Sequence, residues 1–502
     1  MSKEREIPSY LVPDEVARVT ETLEKAGFEA YLVGGCVRDM LMGKDPEDWD
    51  IATNAEPTRV QELFPHTYYE NNFGTVGVIS DDTDEPSLKK IEVTTYRKEG
   101  SYSDSRRPDS VQFTSKIEED LERRDFTMNA IALGLPGGIK DISKGHLIDP
   151  YKGHSDIKDK LIRTVLDPEK RFNEDALRIL RAIRFEATLG FLIEEKTEKS
   201  IERFHMKLSE ISKERIRDEF VKIVMSKRPE HGLTKLKKYN LLQFIVPELE
   251  AGDGIEQGGI HSYDVWEHSV KSLQAAADKN FPLETRLAAL LHDIGKPKTR
   301  RAGGKNKKWS FFGHDVVGER VTRGTLTNLM LPKETIETVS NLVRWHMFFS
   351  DTEQITHSAV RRVIQNVGKE HIWNLIDLRI CDRIGTGRPK EEPYRLRKYK
   401  AMIEEVMRDP ISVGMLKIDG KGVMDVTHET PGPKIGYILN ALLEEVLEDP
   451  KLNTEEYLQG RASDLSKLDD FELIALALKG KTEKQNREEE EIKKIRDKNW
   501  VE

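Results

Sequence analysis

The run "YLVGGCVRDML" at residues 31–41, followed within ten residues by "DWDIAT", constrains this chain more than any other stretch. An apolar segment that breaks at two glycines and resumes with a helical pattern reads as a strand, a tight turn and a helix start. Glycines let backbone approach a ligand closely, and the amino end of a helix offers N–H groups without intrahelical partners, so such a turn can cradle phosphate. Arg38 would add charge there. Alone the turn is weak, because a strand-to-helix corner often needs glycine for geometry only. The following Asp48 and Asp50 strengthen it. On a strand, positions i and i+2 face the same side, so two carboxylates would converge and repel unless a cation sat between them. Two magnesium ions about 3.5–4 Å apart do this in phosphoryl transfer, activating an attacking hydroxyl and stabilising the leaving oxygen.

Around this feature, short β-rich runs such as "AYLVGG", "TVGVIS", "KKIEVTTYR" and "DSVQFTS" alternate with turns and helical stretches over residues 28–165, the pattern of an α/β domain. After Asp167 the pattern is helical. A chain of 502 residues is too long for one core, so two to four domains are expected. "AGDGIEQGG" (251–259) reads as a linker; Gln257 stands where a dinucleotide fingerprint needs its third glycine. A histidine-rich helical block follows to about residue 390, with a surface loop at "RRAGGKNKKW" (300–309), and the charge-alternating end past residue 480 has no assigned role. No apolar run approaches a membrane span, and the start "MSKEREIPSY" is not a signal peptide, which points to the cytoplasm. Cys36 and Cys381 provide no disulfide framework and read as small buried residues. The net charge of −9 leaves only local basic patches for nucleic acid, at 212–229 and 235–240, and each reads first as a solvated helix face. "NEDALRILRAIRF" (173–185) reads as one amphipathic helix. Asp175 and Arg178, three apart, share a face there, the geometry of an ordinary ion pair.

The segment "LVGGCVRDMLMGKDPEDWDIATNAEPTRVQELFP" resembles the signature of the class II tRNA nucleotidyltransferases, the CCA-adding enzymes, which share their head with bacterial poly(A) polymerases. "FGTVGV" (73–78), "IEVTTYRKEGSYSDSRRPDSVQF" (91–113), "EEDLERRDFTMNAIAL" (118–133) and "RFNEDALRILRAIRFEATLGF" agree in the family's order, and the likeness covers residues 28 to about 230. It implies an α+β fold with a polymerase-β-like nucleotidyltransferase head (1–165), a nucleotide-selecting neck and RNA-binding helical body (166–250) and a helical tail region (391–480) before the charged end (481–502). It implies that Gly35 and Arg38 hold a triphosphate, that Asp48 and Asp50 hold two Mg2+ with Glu92 as a candidate third carboxylate, and that Arg124 contacts the nucleotide. Asp125 would lie near the ribose or order the turn. "YSDSRRPD" (102–109) matches a flexible loop that helps the family switch from C to A. A carboxylate accepts hydrogen bonds and a guanidinium donates several in a fixed plane, so together they can imitate a base's pairing edge. The resemblance gives that part to Asp175 and Arg178, with Arg181 and Arg184 on the nucleotide or its phosphates.

Between residues 261 and 382 stand His268, His292, Asp293, His314, His346 and Asp382, residue types that suit divalent transition metals. Their order resembles the HD phosphohydrolase domain (here 256–390), in which the first histidine, the His-Asp doublet and the last aspartate bind one metal and extra histidines permit a second. Lys296 would meet a phosphate. Such domains are fused to some bacterial CCA-adding enzymes and imply phosphatase or 2′,3′-cyclic phosphodiesterase activity; the alternative is a helical domain that only supports tRNA. "GPKIGYILNALLEEVLEDP" (432–450) resembles tail helices that contact tRNA. The expectation is addition of CCA to the tRNA 3′ end from CTP and ATP, with the oligomeric state open. The rivals are a poly(A) polymerase, a CC-only or A-only enzyme, and an inactive tRNA-binding protein.

Overall fold

Residues 7–71, 74–100, 111–258, 262–303, 308–348, 355–387 and 390–477 are described by the structure, a computed structural model. The chain divides into two units, residues 1–245 and 246–502.

The described residues of the first unit hold eleven strands, several built from β-branched and aromatic runs: β1 (Ala30–Val33), β2 (Trp49–Thr53), β3 (Thr67–Asn71), β4 (Thr75–Ile79), β5 (Lys90–Thr95), β6 (Arg97–Glu99), β7 (Val111–Phe113), β8 (Ala132–Gly134), β9 (His146–Ile148), β10 (Leu161–Ile162) and β11 (Leu192–Ile193). Seven of them form one sheet in the order β3-β4-β5-β2-β1-β8-β9, and β6 pairs with β7 apart from it. β10 and β11 form a separate parallel pair. Within the seven-stranded sheet only β2 and β5 pair in parallel, and their register sets Asp50 opposite Glu92. In these two strands Trp49, Ile51, Ile91 and Val93 turn into the core, while Asp50 and Glu92 alternate away from it, half-buried. Val33, Ala52, Tyr96, Leu121, Ala132 and Val165 close the core beneath. Each large side chain buried this way contributes roughly 1.5–3 kcal/mol relative to exposure. Helices dominate from Pro168 onward, as expected, and the α+β class is met. Cys36 and Cys381 are buried, and burial pushes the Cys36 thiol up to about 12, which leaves it no nucleophile.

Two local expectations are corrected. The stretch 173–185 is not one helix: one helix ends at Glu174 (Pro168–Glu174), Asp175 is extended (φ −148°, ψ 103°), and a second runs Leu177–Leu189. The Asp175 carboxylate accepts from the Leu177 N–H (3.0 Å), satisfying a donor that a new helix leaves open, so the aspartate starts a helix instead of riding on one. Likewise Asp48 precedes β2, exposed, and only Asp50 lies on the strand.

In the second unit the helices Val265–Asp278, Leu283–Leu291, His314–Asn328, Lys333–Trp345 and Ile372–Gly385 pack on one another, followed by Tyr394–Val406, Pro433–Glu448 and Glu455–Leu465. The expected linker is folded over its described residues: Ile255 and Gly252 carbonyls accept from the N–H groups of Val265 and Trp266, and buried Gln257 donates to the carbonyls of Tyr263 and Asp264. Gly254 and Gly258 take left-handed φ there (67° and 74°). The expected loop at 300–309 is flanked by a short antiparallel pair, Arg301–Ala302 with Trp309–Ser310. No helix among the described residues is long and apolar enough to cross a membrane. The expected switching loop (102–109) and charged tail (481–502) lie outside the described residues.

Candidate active site and metal centre

The first unit holds a cleft of about 1040 Å³. Its floor begins where β1 ends. Gly34 has φ +78° and ψ −133°, and a Cβ there would stand 2.9 Å from Arg124 Nη1 and 3.4 Å from Asp50 Oδ2. The left-handed conformation demands glycine at 34, and the nearby Arg124 end would have to shift for any side chain, while Gly35 is an ordinary first residue of the helix Gly35–Leu41. Asp48, Asp50 and Glu92 all line the cleft. Burial, with Glu92 and Asp48 nearby, outweighs Arg124 and pushes the Asp50 carboxyl up to about 6. Glu92 pairs with Lys90 at 2.7 Å. A carboxylate raised mainly by burial, with two further carboxylates beside it, is short of positive charge, and that is the electrostatic setting in which a divalent cation binds. Asp48, Asp50 and Glu92 are an oxygen donor set that suits magnesium.

Around this corner the cations are held in place. Arg38 is buried; it forks onto Asp39 (2.9 and 2.8 Å) and reaches Asn129 Oδ1 (2.9 Å). Arg124 bonds the fully buried Asp120 (3.3 Å). Asp125 also lines the cleft, where it accepts from Arg181 (2.7 Å) and Asn129 (3.2 Å). Burial alone would raise it, but the Arg181 charge and hydrogen bond win and hold it at about 2.

Asp175, Arg178, Arg181 and Arg184 also line the cleft. Asp175 and Arg178 do not pair with each other. Asp175 is gripped by both terminal nitrogens of Arg215 (3.2 and 2.6 Å), from the helix Lys213–Val224. Arg178, nearly buried, donates to Glu174 (2.8 Å) and to the carbonyls of Arg171 and Arg123. Arg184 lies 4.0 Å over the Phe185 ring and 3.0 Å from Glu219; burial pushes it down to about 10. Sequence reasoning missed Gly34, Arg215 and Glu219. Arg215 sat inside a patch taken for a solvated face; its neighbours Ile216, Phe220 and Ile223 are the buried stripe that would have marked the helix's orientation.

In the second unit all six expected residues converge. His268 comes from the helix Val265–Asp278, His292 and Asp293 from the end of Leu283–Leu291, His314 from the start of its helix, His346 from the end of Lys333–Trp345, and Asp382 from Ile372–Gly385. Asp293 stands at the centre: Oδ2 is 3.3 Å from the Nε2 atoms of His268 and His292, and Oδ1 is 3.4 Å from that of His314 and 3.8 Å from that of His346. Two donor groups result, His268/His292/Asp382 and Asp293/His314/His346. His292, His314 and His346 each place Nδ1 against the carbonyl three residues earlier (2.9, 2.8 and 2.6 Å). With Nδ1 donating, Nε2 of His292, His314 and His346 carries a lone pair; those of His314 and His346 meet at 3.2 Å, and His268 Nε2 lies 2.9 Å from that of His292. Facing acceptors repel unless a cation lies between them, so these donors would suit transition-metal ions, one group for each. Burial pushes His314 and His346 below the usual imidazole range. For His268, burial opposes charge, but Asp293 and Asp382 prevail and raise it to about 9. Lys296 contacts Asp293 (2.6 Å) and buried Gln257 (2.5 Å), which ties the supposed linker to this centre.

Family models match three segments: the poly A polymerase head domain at residues 30–163, a probable RNA and SrmB-binding site of polymerase A at 190–252, and the HD domain at 258–387. A CCA-adding enzyme of Enterococcus faecalis is 31% identical over 446 residues, 88% of this chain and 94% of the relative. A CC-adding tRNA nucleotidyltransferase of Thermus thermophilus is 32% identical, with 85% and 92% covered. A CCA-adding enzyme of Lactobacillus helveticus reaches 48%, but over 206 residues, 41% of this chain and 48% of that protein's length. The crystal structure of the Bacillus stearothermophilus CCA-adding enzyme in complex with CTP superposes with a TM-score of 0.65 at 28% identity, covering 90% of this chain and 96% of that one.

Proposed function

This chain belongs to the family of CCA-adding tRNA nucleotidyltransferases, and from that premise we propose that it adds CCA to the 3′ end of tRNA from CTP and ATP, releasing pyrophosphate. The observation that carries the reading is the cleft itself, lined both by the carboxylates Asp48, Asp50 and Glu92 and by the Asp175–Arg215 pair and Arg178. Asp48 and Asp50 would hold magnesium; when bound, Mg2+ supplies activation of the attacking hydroxyl and charge stabilisation at the phosphates. The residues of the chain do the rest by position. Gly34 keeps the floor open where Asp50 and Arg124 meet. Gly35, Arg38 and Arg124 bind the triphosphate side, Arg38 aimed by Asp39 and Asn129. Arg181 and Arg184 place positive charge beside the nucleotide while Asp125 and Glu219 fix their direction. Asp175 accepts from the incoming base and Arg178 donates to it, as a template made of side chains; Arg215 and the Leu177 N–H set the plane of the carboxylate. The tRNA 3′ oxygen attacks the α-phosphorus and pyrophosphate departs, with most of the acceleration from orientation and fixed charge.

The relative named as CC-adding makes the extent of addition the point to test. Protein, magnesium and a tRNA lacking CCA are incubated with CTP, with ATP, or with both, and the products are sized. Two additions with CTP and a third only with ATP support the proposal; a stop after CC, or a ladder of A, refutes it.

A second activity is favoured by the six-residue centre around Asp293, which suits a metal-dependent phosphohydrolase. His268, His292 and Asp382 would hold one ion and Asp293, His314 and His346 another, and Lys296 would meet the phosphate. Retained metal together with phosphoester hydrolysis across Mn2+, Ni2+ and Co2+ supports this; neither one seen refutes it.

A further inference from the structure

Three arginines of the first unit gather around one aromatic ring. Arg184 lies over Phe185, 4.0 Å from its centre, and Arg38 and Arg181 stand 5.3 and 5.7 Å from it. Phe185 is 5% exposed and is set edge-to-face with fully buried Phe126 (5.6 Å between centres, 86° between planes), so the ring has little freedom to turn. Phe185 and all three arginines line the cleft. The arginines are held differently. Arg38 spends three nitrogens on Asp39 and Asn129, and Arg181 gives its Nε to Asp125. Arg184 has its Nε 3.0 Å from Glu219, but among the described residues its two terminal nitrogens bond no acceptor. Burial weighs against its charge, with Glu219 for it and Arg181 and Arg38 against.

We propose that Phe185 is a positioning residue for nucleotide transfer: its ring carries Arg184 by the face and leaves the terminal N–H groups of that guanidinium free to fork onto a phosphate of the incoming nucleotide. The role rests on the transferase reading above. A carboxylate holds a guanidinium by occupying its donors, which are the groups a phosphate needs. An aromatic face attracts the cation through the ring quadrupole and takes no donor. The ring therefore steadies Arg184 without a second carboxylate, whose charge would repel a triphosphate. Guanidinium and phosphate then meet through two parallel hydrogen bonds in one plane. Every nucleoside triphosphate carries the same phosphates, so the ring strengthens binding of all of them alike. Choice of base stays with Asp175 and Arg178.

Fluorine drains the negative face of a ring while nearly keeping its shape. Phe185 in the full chain is replaced by mono-, di- and trifluorinated phenylalanine through nonsense suppression. Single-turnover addition of CTP and of UTP to a tRNA lacking CCA is measured for each protein, with a melting curve alongside. The expected result is an apparent Kd for CTP that rises step by step, to about tenfold with the trifluorinated ring, and a maximal rate within about twofold of wild type. The preference for CTP over UTP should not move, in contrast to a change at the template pair. An affinity that ignores the fluorines, or that falls only where the melting temperature falls, refutes the role of the ring and leaves the transferase reading in place. A CTP-to-UTP preference that collapses along the series overturns the phosphate assignment. Wild-type protein that adds no nucleotide overturns the transferase reading and this role with it.

Discussion

Arg215→Ala is the perturbation that most directly probes how a carboxylate is made to read a base. Arg215 gives Asp175 two hydrogen bonds, at 3.2 and 2.6 Å, with both side chains at least three-quarters shielded from solvent (24% and 15% exposed). A hydrogen bond to a charged group contributes about 1.5–3 kcal/mol. The second bond shares the same pair of side chains, and the Leu177 N–H stays in place, so a total of about 2–3 kcal/mol of orientation is lost. If that orientation matters only when the correct base is bound, kcat/KM for CTP falls roughly 30- to 150-fold, while UTP, which gains nothing from the template, changes little. Discrimination between CTP and UTP therefore shrinks by the same factor. Arg215→Lys keeps charge without the planar fork and falls between. The assay is single-turnover addition of labelled CTP or UTP to a tRNA lacking CCA, with a melting curve to separate instability from selection. Unchanged discrimination in a folded Arg215→Ala protein would refute the idea that this pair sets the template.

Other outcomes follow from the same geometry. Asp50→Asn should abolish addition while tRNA binding persists in a gel-shift assay; near-normal addition would sink the cation assignment. Because the folded Asp50 pKa is raised from 3.8 to about 6, the penalty of its charge on the metal-free fold is full above pH 6, shrinks as pH falls from 6 toward 3.8, and is gone only below that range. Metal-free Asp50→Asn protein should accordingly melt higher than wild type at pH 8, by roughly 2–4 °C, with about half of the gain left at pH 5. Gly34→Ala places a Cβ 2.9 Å from Arg124 at a φ of +78°, and should cost about 1–3 kcal/mol in chemical denaturation and most of the transfer activity. His314→Ala/His346→Ala should lower bound transition metal from two equivalents to one by elemental analysis; two retained equivalents would contradict the division of the donor set.

Much of this protein is dictated locally. The apolar alternation of β2 and β5, the glycine corner after β1 and the 3.6-residue stripes of the later helices are short-range signals, and each element forms where its pattern falls. The histidine and aspartate series was legible for the same reason, since few arrangements of such residues survive burial without a metal. Pairing, by contrast, belongs to the tertiary structure. Asp175 and Arg178, neighbours by spacing, each found a partner elsewhere: Arg215 comes from forty residues away, and Arg123 offers its carbonyl from another element. Gln257 looked like part of a linker until Lys296 closed on it. A hydrogen bond needs two groups within about 3 Å, and only the packing of distant helices brings them there. Residue type and periodicity therefore announced which chemistry the chain carries, and the docking of its elements decided which side chain holds which.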